Sequence, residues 1–343
     1  MSNFTKKRQR FLNWKTLLGI VVSFGGIYLG FRRFDGQTFL ISLKETDLWL
    51  FGMAMLVMVI QVFLRAVRWH YLLRPLKRIP LRYVFGSQMV CYFGNYVFPL
   101  RFGEILRTYA LNSRSGLSMV SIFGTVVVER LLDVIFFLIL FPVTIMVYAA
   151  VWPHWVRWSG IVAAGLMLLI ILLIIFFRKS RDKVDRFLTE KLGRSRFGTL
   201  VQPLQRFLEG LRTLQGTPHL TAIVVMTLVI WVVSILNVWV AGLAVHVFFS
   251  FQNLLLLFFV TSAIIAVPSA PGYVGTYHAG AIGILLYMGF PLSQAQVIAV
   301  ILHAVGFIAL TSIGCGYFLK YHLHVRDVAS DTDNKELIKE SGK

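Results

Sequence analysis

Six long apolar runs, at residues 16–31, 48–64, 119–150, 158–177, 220–247 and 295–319, dominate the chain. A bilayer's hydrocarbon core is about 30 Å thick, and a helix needs about 20 apolar residues to cross it. Several of the runs meet that length, and the interior of a soluble domain has no use for so many. Composition agrees, with 57% of the 343 residues hydrophobic and 14% charged, where a soluble domain carries about 25% charged residues. The expected fold class is all-α, a polytopic transmembrane helical bundle.

A net charge of +19 could mark a nucleic-acid binder. Most of the Lys and Arg, however, fall in short loops between apolar runs, as they do on the cytoplasmic side of a bacterial inner-membrane protein. No nucleic-acid partner is expected. Residues 1–15 hold five basic residues and no acid, a basic cytoplasmic N-terminus; with no small-residue cleavage site after it, 16–31 reads as an uncleaved first span. Cys91 and Cys315 lie in apolar segments and suggest neither a disulfide framework nor a metal site.

Charge then sets direction. Span 48–73 returns inside, ending at Arg74, Lys77, Arg78 and Arg82. The 178–219 stretch, with ten Lys/Arg against four Asp/Glu, is also cytoplasmic, and the aromatic turn Trp152–Trp158 reads as an outer-interface belt. Segment 119–150 must therefore run outward, so 83–118 must begin and end inside. By the same parity 253–290 must begin and end outside, and Lys320 leads the last span into a polar tail, 321–343. The expectation is one membrane domain, 16–320, with about six full spans and two opposed re-entrant helical hairpins. Their hinges would be Pro99 and Gly103 in the first, and Pro268, Pro271, Gly272 and Gly275 in the second. Both termini would be cytoplasmic, in the bacterial inner membrane.

Irregular backbone at membrane depth survives only inside protein or beside a polar cavity, and paired broken segments point to a transporter's substrate site. Ionisable residues gather at the same places. Asn95, Arg101, Glu104 and Arg107 flank the first hinge. Glu129, Arg130 and Asp133 lie within 119–150, where Glu129 would be about 15 Å deep at about 1.5 Å per residue. Each such charge costs on the order of 2.5–3.5 kcal/mol at a helix centre, so the charges must face one another, the hairpin or water. One arrangement is a lock pairing Arg101 or Arg107 with Glu129 or Asp133; the other is a cavity for an anionic headgroup. Arg65 could guard the cavity mouth, while Arg68 is expected to snorkel to the headgroups. Tyr277 and His278 follow the second hinge and are candidates to line the cavity. His278 and His303 each read as a lone packing histidine, not a metal ligand. Apolar and basic residues alternate through 178–219, as in an amphipathic helix lying on the cytoplasmic leaflet.

No phosphate-cradling loop, dinucleotide motif or metalloprotease helix occurs, so no cofactor, metal or catalytic residue is expected. The blocks Arg65-Ala-Val-Arg68-Trp69, Gly94-Asn95-Tyr96-Val97-Phe98-Pro99-Leu100-Arg101-Phe102-Gly103-Glu104 with Arg107, Glu129-Arg130-Leu131-Leu132-Asp133 and Pro271-Gly272-Tyr273-Val274-Gly275 resemble the lysylphosphatidylglycerol synthase transmembrane-region family. The family includes stand-alone YbhN-like membrane proteins. The resemblance spans roughly residues 15–320 and implies lipid translocation, with the charged blocks around the lipid path. The soluble aminoacyl-transfer domain of fused relatives is absent here, so the resemblance implies a membrane part and no enzyme. Many relatives have Glu where this chain has His278. The leading expectation is a flippase-like transporter of anionic membrane lipids. The alternative is a scaffold or accessory subunit for a lipid-synthesis or glycosyltransferase enzyme.

Overall fold

Apolar runs this long leave the backbone one economical solution, since a helix satisfies its own N–H and C=O groups without water. The computed structural model describes residues 24–28, 30–32, 34, 36–98, 102–148, 152–179, 219–266 and 270–323, and these contain helices and no strand. The helices are α1 (Gly36–Lys44), α2 (Leu48–Leu73), α3 (Leu81–Val97), α4 (Gly103–Ser115), α5 (Met119–Tyr148), α6 (His154–Lys179), α7 (Leu220–Leu243), α8 (Phe251–Ala266), α9 (Thr276–Tyr287) and α10 (Leu292–Lys320). Residues 24–28 and 30–31 are also helical. Most of the first expected span, the basic N-terminus, the loop from 180 to 218 and the tail beyond 323 lie outside the described residues.

By length and composition α2, α5, α7 and α10 can each cross a membrane, and α6, 26 residues long, takes the place of the expected 158–177 span. The protein is a multi-pass membrane protein. Its start signals are local and readable: Asp47 Oδ1 accepts from the Trp49 and Leu50 amides at 2.8 and 3.0 Å at the head of α2. Ser118 Oγ accepts from the Ser121 amide ahead of α5, and Pro80 and Pro291 stand directly before α3 and α10. Such residues satisfy or remove the orphan donors of a helix's first turn.

The described residues divide into two units. Unit 1 draws on Met1–Val67, Pro80–Ser115 and Val229–Lys343; unit 2 draws on Arg68–Ile79 and Gly116–Leu228. In unit 1, α10 buries twelve residues between Ala295 and Gly314 and packs on α1, α3 and α9. Val62, Met89 and Leu310 form one buried cluster there; Val90, Leu106, Ala110, Tyr321 and Leu323 form another. Polar side chains stitch the unit-1 parts of α2 and α7: Gln61 bonds to Ser234, and Asn237 Nδ2 donates to the Ala54 carbonyl at 2.7 Å. In hydrocarbon such bonds act as glue between spans, typically about 0.6 kcal/mol each.

Both stretches expected to form hairpins are helix–break–helix. At about 1.5 Å per residue, α3 and α4 are about 25 and 20 Å long, and α8 and α9 about 24 and 18 Å, too short to cross about 30 Å alone. In the first pair the contact is glycine on glycine: a Cβ on Gly94 would come within 2.6 Å of Gly103 Cα, and one on Gly103 would overlap the Cys91 carbonyl oxygen. Only glycine lets two helix backbones approach so closely.

Gly103→Ala should therefore destabilise the protein by about 1–3 kcal/mol through overpacking. Gly124→Ala, whose Cβ would meet nothing within 4 Å, should be neutral or stabilise by up to about 1 kcal/mol through helix propensity. Thermal unfolding of the two variants in the same lipid discs checks the contrast.

Candidate functional site

The buried charges of unit 2 converge on one guanidinium. Arg68 lies near the C-terminal end of α2, Glu129 on the third turn of α5, and Thr227 on the second turn of α7. Arg68 Nη1 donates to Asp133 Oδ1 at 2.7 Å and to Thr227 Oγ1 at 3.2 Å, and Nη2 donates to Glu129 Oε1 at 3.4 Å. Glu129 and Asp133 can share this partner because residues four apart lie on one helix face. The Arg68 and Glu129 side chains are 0% exposed. Arg130, 40% exposed, stands 3.9 Å from Glu129 and 3.8 Å from Asp133, which makes two cations against two carboxylates. One position further along α2, Trp69 Nε1 donates to Thr125 Oγ1 at 2.9 Å.

This corrects the expectation for Arg68. Its side chain does not snorkel: it is buried and holds both carboxylates that sequence had offered to Arg101 or Arg107. A charge near the end of a span reaches the headgroups only if its face of the helix is open, and α5 and α7 cover this one. Arg65, one turn earlier on α2, is half-buried.

The first hairpin builds a separate cluster within unit 1. Arg107, fully buried on α4, sets its Nε 2.9 Å from Glu104 Oε2 one turn away. Its Nη1 donates to Gln88 Oε1 on α3 at 2.7 Å. Gln88 Nε2 and Ser87 Oγ are buried with no hydrogen-bond partner among the described residues. Asn95 Oδ1 accepts from the Gly103 amide at 3.1 Å, capping α4 from the neighbouring helix, and the Phe98 amide closes α3 by donating to Gly94 O at 2.9 Å. Pro99 and Arg101 lie outside the described residues.

The second break reaches the end of the first hairpin. Pro271–Tyr273 form a single 3₁₀ turn in which Gly272 has φ +67°, a left-handed conformation suited to glycine. A Cβ on Gly272 would meet the Tyr96 carbonyl oxygen at 3.2 Å, and the Tyr96 and Tyr273 rings are 6.0 Å apart. Gly275, φ +88°, opens α9. Tyr277 and His278 follow on its first turn, both buried. His278 and His303 are not the isolated packing residues expected, since their rings meet at 4.8 Å. Pro268 lies outside the described residues.

Sequence reading missed Gln88, Thr227 and Gln296. Gln296, 1% exposed, donates from Nε2 to the Gly30 carbonyl at 2.8 Å. A lone amide or hydroxyl in an apolar run was the available signal, since each must find a partner away from water. Among the described residues no group of three or more His, Cys, Asp or Glu could hold a metal ion.

With this geometry in view, the family model for the lysylphosphatidylglycerol synthase TM region matches residues 16–314. The chain belongs to that family, and what matches is its transmembrane region. No curated protein and no solved structure matches the chain.

Removing one partner of a buried ion pair strands the others, at a cost of about 3–5 kcal/mol. Arg68→Met should destabilise unit 2 by that amount. The triple variant Arg68→Met, Glu129→Gln, Asp133→Asn should recover most of it, because the one charge of the network that remains, on Arg130, is 40% exposed. Denaturant or thermal unfolding in lipid, followed by tryptophan fluorescence, tests both.

Proposed function

We propose that the protein is a flippase-like transporter that moves a lipid with a phosphate-bearing, anionic headgroup between the leaflets of the bacterial inner membrane. The observation that carries this reading is the meeting of two broken helix pairs in unit 1, Gly272 of the second against the Tyr96 carbonyl at the end of the first. Broken helices in corresponding places are where transporters bind their substrates.

In this reading 83–118 and 253–290 enter from opposite faces, as the loop charges require, and both termini lie in the cytoplasm. Arg107 draws the phosphate, helped by Arg101, and Gln88 Nε2, without a partner among the described residues, supplies a neutral donor on the side chain that Arg107 holds. Glu104 keeps the arginine oriented while the site is empty. Arg68, Glu129, Asp133 and Arg130 form a neutral lock that steadies the spans of unit 2. The lipid tails stay in the bilayer throughout, which spares the protein the cost of enclosing them.

Reconstitution of the full chain in liposomes holding a fluorescent anionic phospholipid tests the proposal by chemical quenching of the outer leaflet. Leaflet exchange should exceed that of empty liposomes. Arg107→Gln should slow it by about 10- to 100-fold, the equivalent of a lost charged hydrogen bond of about 1.5–3 kcal/mol, while the protein still elutes as a folded species. Exchange equal to that of empty liposomes sinks the reading.

A further inference from the structure

His278 is the third residue of α9 and His303 lies midway along α10; the packing of these two helices brings their rings together at 4.8 Å and 63°. His303 Nε2 is 2.7 Å from the Gly272 carbonyl oxygen. A carbonyl oxygen only accepts, so Nε2 carries the hydrogen and Nδ1 of a neutral His303 presents a lone pair. His278, 8% exposed, has its Nδ1 buried with no hydrogen-bond partner among the described residues. Two imidazoles thus face each other beside the break of the second hairpin, with basic nitrogen to spare.

Rings line the pair. Around His303 stand the rings of Tyr277 at 5.3 Å, Phe307 at 5.9 Å and Tyr96 at 6.1 Å; around His278 stand Phe31 at 5.9 Å and Tyr277 at 6.1 Å. The rings of Tyr277 and Phe307, tilted by 40° and 31° to that of His303, are the ones placed to offer part of a face to a cation there. The titratable groups facing the pair are Tyr96 from α3, Tyr277 from α9 and, beyond Tyr96, Tyr273 from the break. The residues before α1 and the rest of α10 contribute the apolar rings Phe31 and Phe307, and α8 meets α9 through Ile264 against Gly280. Among the described residues no acidic or basic side chain bonds to either ring. Two imidazolium charges this close repel each other, so the pair can hold at most one proton.

We propose that His278 and His303 form a one-proton binding site that governs the break at Gly272, making lipid movement depend on proton occupancy; the coupling half of this rests on the transport reading above. A proton taken up at His303 Nδ1 turns the His303–Gly272 bond into a charge-assisted one, roughly twice as strong as its neutral form. The protonated pair therefore clamps the break against Tyr96, and loss of the proton releases it.

The test uses the full chain with ¹⁵N-labelled histidine in lipid discs, and imidazole nitrogen shifts followed by NMR between about pH 5 and 9, the range in which histidines titrate. Signals are assigned by their loss in His278→Gln and His303→Gln. The expected result is one proton taken up by the two rings together. In liposomes, exchange should slow as pH falls, by at most tenfold per pH unit for a one-proton step. His303→Gln keeps a donor for Gly272 but cannot titrate, and should flatten that profile. Rings that both stay neutral across the range, or that each take their own proton, overturn the site, as does a His303→Gln profile as steep as the parent's. A shared proton without lipid exchange at any pH supports the site and removes only the transport reading.

Discussion

A backbone amide or carbonyl left without a partner in hydrocarbon costs several kcal/mol, and this chain interrupts its helices twice among its apolar segments. Each interruption is met by a side chain from a neighbouring helix. Asn95 on α3 accepts from the Gly103 amide that begins α4, and His303 on α10 donates to the Gly272 carbonyl in the second break. These two bonds do inside unit 1 what water does at the ends of a soluble helix. Without them the breaks would be the costliest points of the unit, and the rest of its packing is arranged so that they can form.

Close approach is the condition for both. The Asn95 amide reaches the head of α4 because Gly94 and Gly103 let the two backbones touch, and the imidazole of His303 reaches Gly272 because the turn of Pro271–Tyr273 lies against the end of α3. Small residues and capping side chains are thus parts of a single device. A methyl group at Gly103 would separate the helices and, with them, the cap from its amide.

Unit 2 meets a different demand, the burial of ionised groups. Glu129 on α5 lies where an isolated carboxylate would be expelled, and it is kept by Arg68, whose guanidinium also donates to Thr227 and Asp133. Buried ion pairs add little to stability, yet they tolerate few alternatives, since any other packing strands a charge. The network therefore specifies which faces of α2, α5 and α7 meet at this depth more than it strengthens their contact. Family membership, the charge-neutral network and the capped breaks together describe a membrane protein that pairs its buried charges among its helices.

Much of this was legible in the chain itself. Hydrophobic run lengths determine where helices cross, and Pro and Gly at 98–103 and 268–275 mark where they stop. All of these are local properties, carried by periodicity, by the fixed rise of a helix and by the conformational limits of proline and glycine. What tertiary structure alone decided is partnership: that Glu129 and Asp133 hold Arg68, that Arg107 turns to Glu104 and Gln88, and that His278 finds His303. Arg68 and Glu129 are 61 residues apart, and no local pattern states which helix faces will pack together. That choice is made by the fit of whole surfaces, where a single unpaired charge outweighs many well-packed leucines.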